Sequence, residues 1–188
     1  MSFNITELIE NVKGWSVAKE LADADPIKQM QKLNEEWGEL NAGKAKGDTA
    51  KLYDSIGDVF VVLIILSQQM KFEKIERLID PTVNGFGYYP KNEVTTDLLL
   101  LYGMKEIGMI ANRMIDLIHN PGIINTRTAI QFHIRNLTSI LYKVAINEDT
   151  DIKYCLQLAW DEIKNRQGKM IDGVFVKDED IKEVDDDE

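Results

Sequence analysis

From Val59 to Leu66 the chain reads VFVVLIIL, eight apolar residues without interruption. The run is far shorter than the roughly 20 residues a helix needs to span a bilayer, so it must be buried inside protein. Taken alone it fits a buried strand or a helix apolar on every side. It continues through Ser67-Gln68-Gln69-Met70 without a breaker, behind Leu52 and Ile56 at helical spacing, and this favours helix. A helix apolar all round requires other helices over most of its surface.

The flanking sequence supplies them. Asp25-Pro26 is a helix start, because Asp can cap and Pro fits the first turn, where its missing N–H has no partner anyway. Ile27, Met30, Leu33, Trp37 and Leu40 then form one apolar stripe, and Gly43 and Gly47 are expected to end that helix. Asp48 or Thr49 caps the helix that carries VFVVLIIL. A third long helix is expected from Thr95 or Thr96 to about His119, stopped by Asn120-Pro121-Gly122. A fourth runs from Thr126 or Thr128 to about Ile146, and a fifth from about Thr150 to Gln167, ended by Gly168. A short helix is expected from Ile5 to Val12, a loop over PTVNGFGYYP (81–90), and extended chain over 173–177. There is no βαβ alternation and no period-2 series, so the class is an all-α helical bundle built on an antiparallel hairpin.

The 188 residues suit one domain, 1–177, with an acidic, solvated tail at 178–188. A lone cysteine, Cys155, rules out an internal disulfide or a Cys-rich zinc site and fits a reducing, cytoplasmic setting. The first residues lack the basic-then-apolar pattern of an export signal. Lys and Arg total 22 against 32 Asp and Glu, a net charge of −10. That balance disfavours binding to nucleic-acid polymers, and no membrane partner is expected. The tail holds −7 of it, which leaves −3 elsewhere. Even so, acids crowd the segment from Glu35 to Asp58.

Glu36 and Glu39 are three apart and share a helix face, flanked by Glu35. Asp54 and Asp58 are four apart on the next helix. The short connection at Gly47 makes these helices antiparallel neighbours, so the acidic faces can converge. Carboxylates facing one another repel unless a cation lies between them. Oxygen ligands without His or Cys suit Mg²⁺ or Mn²⁺, and Mg²⁺ commonly engages phosphates. The plainer alternative is a solvated surface on which lysines such as Lys32, Lys44, Lys46 and Lys51 pair with the acids. Asp58 resists that alternative because it leads directly into the buried run.

The strings QMQKLNEEWGEL and DSIGDVFVVLIIL resemble the MazG-like members of the all-α nucleoside triphosphate pyrophosphatase superfamily, whose signature is ExxE followed by ExxD on the next helix. Glu36 and Glu39 match the first pair and Asp58 the final Asp, while Ser55 stands where the family has its second Glu. Asp54, beside it, is positioned to take over. The string CLQLAWDEIKNRQGKMIDGVFVKDED is similar to the closing segment of small, often phage-encoded, members. The region of about 70–153 then reads as inserted or lineage-specific helices.

The resemblance implies Mg²⁺-dependent hydrolysis of nucleoside triphosphates, chiefly dNTPs, to the monophosphate and pyrophosphate. It implies Glu36, Glu39, Asp54 and Asp58 as metal ligands, Glu35 as the residue that positions water, and Lys32 as a cation for the leaving pyrophosphate. Asn165, Arg166 and Lys169 become candidate substrate contacts, with Trp15 and Trp37 candidates for stacking on a base. It also implies a homodimer or homotetramer. The competing readings are a catalytically silent binding or assembly protein of the same fold and a carboxylate-bridged redox metal protein.

Other strings carry less. GKAKGDT at 43–49 lacks the Lys-Ser/Thr that a P-loop places after its second Gly. Asp116 and His119 are half of a di-iron-like pair with no second half. His133 is expected to be a structural or surface residue, and Cys155 to be buried and inert.

Overall fold

The computed structural model describes residues 4–84, 94–122, 124–171, 174–178 and 181. Eight helices and one small hairpin make up the described elements. The class is all-α, as the sequence requires. No described helix is long and apolar enough to cross a membrane.

Helix α1 (Ile5–Ala18) starts at a capping box: Asn4 Oδ1 accepts from the Glu7 N–H, and the Glu7 carboxylate accepts from the Asn4 N–H, both at 2.8 Å. It runs a turn and a half beyond its expected end. A 3-10 turn, Leu21–Asp23, leads to α2 (Pro26–Lys46), capped by Asp25. Gly43 does not end α2. It lies inside, where a Cβ would stand 3.0 Å from the Leu52 backbone nitrogen, so its bareness lets the next helix approach. Gly47, at φ 65, ends α2 in the left-handed region that glycine tolerates. Asp48 caps α3 (Thr49–Gln69).

Region 70–153 contains α4 (Ile75–Ile79), α5 (Pro81–Asn84), α6 (Thr96–His119) and α7 (Thr126–Asn147). The expected loop at 81–90 is helical over 81–84, and its remainder lies outside the described residues. Helix α8 (Ile152–Ile163) stops before the expected Gln167. The extended chain at 174–177 has found a partner: β1 (Gly168–Ile171) pairs antiparallel with β2 (Val174–Lys177), so Gly168 opens a strand. Of the acidic tail, only Asp178 and Ile181 are described.

Helix α3 is the axis of the core. Phe60, Leu63, Ile64 and Leu66 are fully buried, and α1, α2, α7 and α8 pack against the helix. At Gly57 the approach is closest: a Cβ there would lie 2.2 Å from the Cys155 carbonyl oxygen on α8. The α6–α7 pair covers the α2–α3 hairpin. Trp37 fills the space beside Gly103, where a Cβ would fall 2.2 Å from the indole. Glu148 ties the two hairpins together, accepting from Lys44 Nζ at 2.7 Å and from Thr96 Oγ1. Tyr53 donates to the Glu148 carbonyl at 2.7 Å.

Candidate functional site

The hairpin geometry brings the two acidic faces together. Along α2, Lys32, Glu35, Glu36 and Glu39 line a cavity of about 370 Å³. Along α3, Asp54 and Asp58 line it first, then Val62 and Ile65. Glu162 from α8 adds another carboxylate, Arg166 and Lys177 add cations, and Trp15 and Phe175 add aromatic surface. The volume falls within the range of small-molecule sites. Ser55 is buried and is not among the lining residues, whereas Asp54 is.

The acids differ in their surroundings. Lys32 Nζ stands 2.6 Å from Glu36 Oε1 and 3.0 Å from Glu35 Oε1, and Lys51 Nζ stands 3.0 Å from Glu39 Oε2. Arg166 pairs with Glu162. Asp58 makes no hydrogen bond or ion pair with a described residue. Burial pushes its carboxyl up to about 7, reinforced by Glu36, Asp54 and Glu162 and opposed by Lys32. Burial also raises Asp54, together with Glu162 and Glu39. Glu36 is raised by burial even though Lys32 pulls the other way. For Lys32, burial works downward, yet the Glu36 and Glu35 carboxylates hold it above the usual lysine range. The two partners therefore shift in opposite senses of pair stability. The Glu36 direction governs the site, because Glu36 is the buried member and has further acids around it.

The donor set is all carboxylate oxygen, which is the chemistry of Mg²⁺ or Mn²⁺. Among the described residues, no three or more His, Cys, Asp or Glu side chains are gathered as a ready-made metal cage. Glu36 and Glu39 turn toward lysines instead. Loading an ion would exchange Lys32 and Lys51 for the cation, and Asp58 already lacks a partner. A metal site here would require both of those ion pairs to open.

Several expected residues lie elsewhere. Trp37 is 3% exposed and packs in the core, so it is not a surface for stacking; its helical spacing is that of the α2 stripe. Asn165 lines a separate shallow pocket that shares Glu162, Arg166 and Lys177 with the cavity. Lys169 is exposed on β1 and does not line the cavity, because the helix it was expected to close has already ended. Asp116 is engaged by Arg113 at 2.9 Å, which removes the half-motif with His119. His133 Nδ1 lies 2.7 Å from the buried Glu106, a structural contact. Cys155 is buried, and that burial pushes its thiol up to about 12.

Sequence reasoning missed Glu162, Phe175 and Lys177. Glu162 is distant in sequence from the other acids, so no local spacing marks it. Phe175 and Lys177 reach the cavity through the hairpin, for which the Asp172-Gly173 dipeptide between two short runs was an available signal. Trp15 meets Phe175 edge to face at 5.9 Å, and its buried Nε1–H has no acceptor among the described residues.

No family model and no solved structure matches the chain. An uncharacterized 18.2 kDa protein from the rep-hol intergenic region of Haemophilus phage HP1 (strain HP1c1) is 41% identical over 73 residues. The match covers 38% of this chain and 45% of that protein, so the chain spans less than half the length of that relative.

Proposed function

We propose that the chain is a MazG-like nucleoside triphosphate pyrophosphohydrolase that releases pyrophosphate from (d)NTPs and so controls a nucleotide pool. One observation carries the reading: Glu36, Glu39, Asp54, Asp58 and Glu162 line one cavity together with Lys32, Arg166 and Lys177. Acids alone would repel a triphosphate. Acids that can hold a divalent ion, with cations beside them, can bind one.

In this reading Glu36, Glu39, Asp54 and Asp58 would hold Mg²⁺, which when bound would neutralise charge and polarise the phosphates. Lys32 leaves Glu36 and turns to the β- and γ-phosphates, joined by Arg166 and Lys177. Glu35, exposed beside Glu36, would hold the attacking water and accept the proton it loses, which passes on to solvent. The new bond forms between the water oxygen and the α-phosphorus. The bond from that phosphorus to the bridging oxygen breaks, and pyrophosphate leaves with the electron pair. Trp15 and Phe175 offer the base an aromatic wall, and the Trp15 Nε1–H is a donor in need of an acceptor. Self-association as a homodimer or homotetramer belongs to the same reading.

The test is pyrophosphate release from a panel of dNTPs and NTPs with Mg²⁺ and with EDTA. Metal-dependent release from at least one nucleotide is the expected result. A folded protein that releases none is no pyrophosphohydrolase, and the remaining reading is then a helical binding or assembly protein of the same fold.

A further inference from the structure

Away from its acids, the cavity is lined by two buried amides. Asp58, Val62, Ile65 and Gln69 follow one another along α3 and all line it, so its wall changes from carboxylate to aliphatic to amide over about 16 Å. Gln29 of α2 lines it too. Both amide side chains are more than nine-tenths buried, Gln69 at 8% exposure and Gln29 at 7%. Backbone carbonyls, which can only accept, fix their orientations. Gln69 Nε2 donates to the Leu21 carbonyl at 3.0 Å, and Gln29 Nε2 donates to the Val62 carbonyl at 3.3 Å. Each amide is therefore left with its oxygen as an acceptor. Gln69 Oε1 has no donor among the described residues. Gln29 Oε1 receives Gln69 Nε2 at 3.5 Å, the outer limit of a hydrogen bond. Because Gln69 Nε2 and Oε1 belong to one amide, the two oxygens lie close enough for a single nitrogen to donate to both. Trp15 is tied to the same region: Ser16, next to it, donates to Gln68 Oε1 at 2.6 Å. Buried polar groups are normally paired, so unpaired ones lining a cavity point to a ligand.

We infer that Gln69 and Gln29 read the base of the nucleotide, and that they select the amino-bearing bases cytosine and adenine over their keto counterparts uracil and hypoxanthine. The inference rests on the nucleotide site proposed above and narrows its substrate class. Phosphates held at the acid end leave the sugar over Val62 and Ile65 and carry the base to the amides. An exocyclic amino group has two N–H donors on one nitrogen, which is what two neighbouring acceptor oxygens require. In cytosine and adenine the ring nitrogen beside that amine is an acceptor, and the unpaired Trp15 Nε1–H is the donor for it. The keto bases reverse the pattern. Their carbonyl oxygen meets the Gln69 oxygen, and their ring N–H meets the indole N–H. A keto base shifted by one position offers a single N–H and leaves one amide oxygen without a donor. A site built to hydrogen-bond a substrate group discriminates strongly against the analogue that lacks it, because its own buried groups stay unpaired.

Two matched pairs, dCTP with dUTP and dATP with dITP, change only this feature of the base. Calorimetric titration of the full chain with their α,β-imido analogues and Mg²⁺ reads affinity without hydrolysis, and pyrophosphate release from the natural nucleotides reads turnover. In at least one pair the amino member is expected to bind about 10- to 100-fold more tightly than its keto partner, the scale of a buried acceptor left unpaired. Gln69→Leu, with an unchanged circular dichroism spectrum, should bring that ratio within about three-fold. Equal affinities in both pairs, or tighter binding of the keto members, overturn the inference and leave the proposed activity standing if pyrophosphate is released. A preference without release keeps the inference and removes the activity. Binding of none of the four analogues overturns the inference. A preference that survives in folded Gln69→Leu overturns the assignment to Gln69; should that variant not fold, the wild-type pairs decide.

Discussion

Glu39 stands exposed at the edge of the cavity, held by Lys51 at 3.0 Å. Its carboxylate supports no core contact, so replacing it separates function from folding. Glu39→Gln is expected to lower Mg²⁺-dependent turnover by about 100-fold or more, the scale of losing a direct transition-state contact. Stability should change by less than about 0.5 kcal/mol, as for an exposed substitution. Turnover within two-fold of wild type would remove Glu39 from the site. Asp54 and Ser55 make a sharper pair. Only Asp54 lines the cavity, whereas Ser55 is buried away from it. Asp54→Asn is therefore expected to reduce turnover by about 10-fold or more, in line with loss of a metal-site residue. Ser55→Ala should leave it within a few-fold. The reverse order of effects would remove Asp54 from the proposed metal site. Trp37 teaches a related lesson: the sequence shows the apolar stripe, but only the Gly103 notch in α6 shows that the indole is consumed by packing.

At the scale of elements, the site depends on how closely α8 lies against α3. That spacing is set at Gly57, where any Cβ would strike the Cys155 carbonyl at 2.2 Å. The obstacle is backbone, which cannot swing aside as a side chain can. Gly57→Ala is expected to cost about 1–3 kcal/mol through overpacking. At roughly 2–4 °C per kcal/mol for a chain of this length, the melting temperature should fall visibly. It should also move Glu162 and Arg166, which α8 and its exit carry, and so raise KM more than it lowers kcat. An unchanged melting temperature would show that the helices are not in contact there. The long helices were legible because their signals are local: Asp25-Pro26, Gly47-Asp48 and Thr95 each act within a turn. The end of α8 was not legible, because it depends on β1 pairing with β2, a contact between segments that neither announces alone. For the same reason the acids of α2 and α3 could be read as a site from a two-residue connection, while Glu162 could not.

Over the whole molecule, two sets of carboxylates pull stability in opposite directions with pH. Glu106 and Glu148 are held below their ordinary range. Burial alone would raise them, but His133 and Asn136 on the one, and Lys44 and Thr96 on the other, outweigh it. Their contribution is complete above about pH 4.5 and is lost as pH falls through their lowered folded values. Asp58 does the opposite. Its ordinary value is 3.8 and its folded value about 7, so between these the folded state keeps a proton that the unfolded chain releases. Stability therefore declines as pH rises through that window and levels off above it. In EDTA the melting temperature is expected to peak on the weakly acidic side and to fall by several degrees toward about pH 8. Asp58→Asn should shrink the alkaline limb to the part that Asp54 and Glu36 contribute and leave the acid limb in place. Mg²⁺ requires ionised carboxylates and displaces protons from them, so its stabilisation should grow from about pH 5.5 to about pH 8. Thermal melts across that range, with EDTA and with Mg²⁺, measure both effects together. An EDTA curve already flat in wild type would mean that Asp58 is not a buried acid without a partner. An EDTA curve that declines but does not respond to Mg²⁺ would leave the strained acid in place and refute the metal that the proposed activity requires.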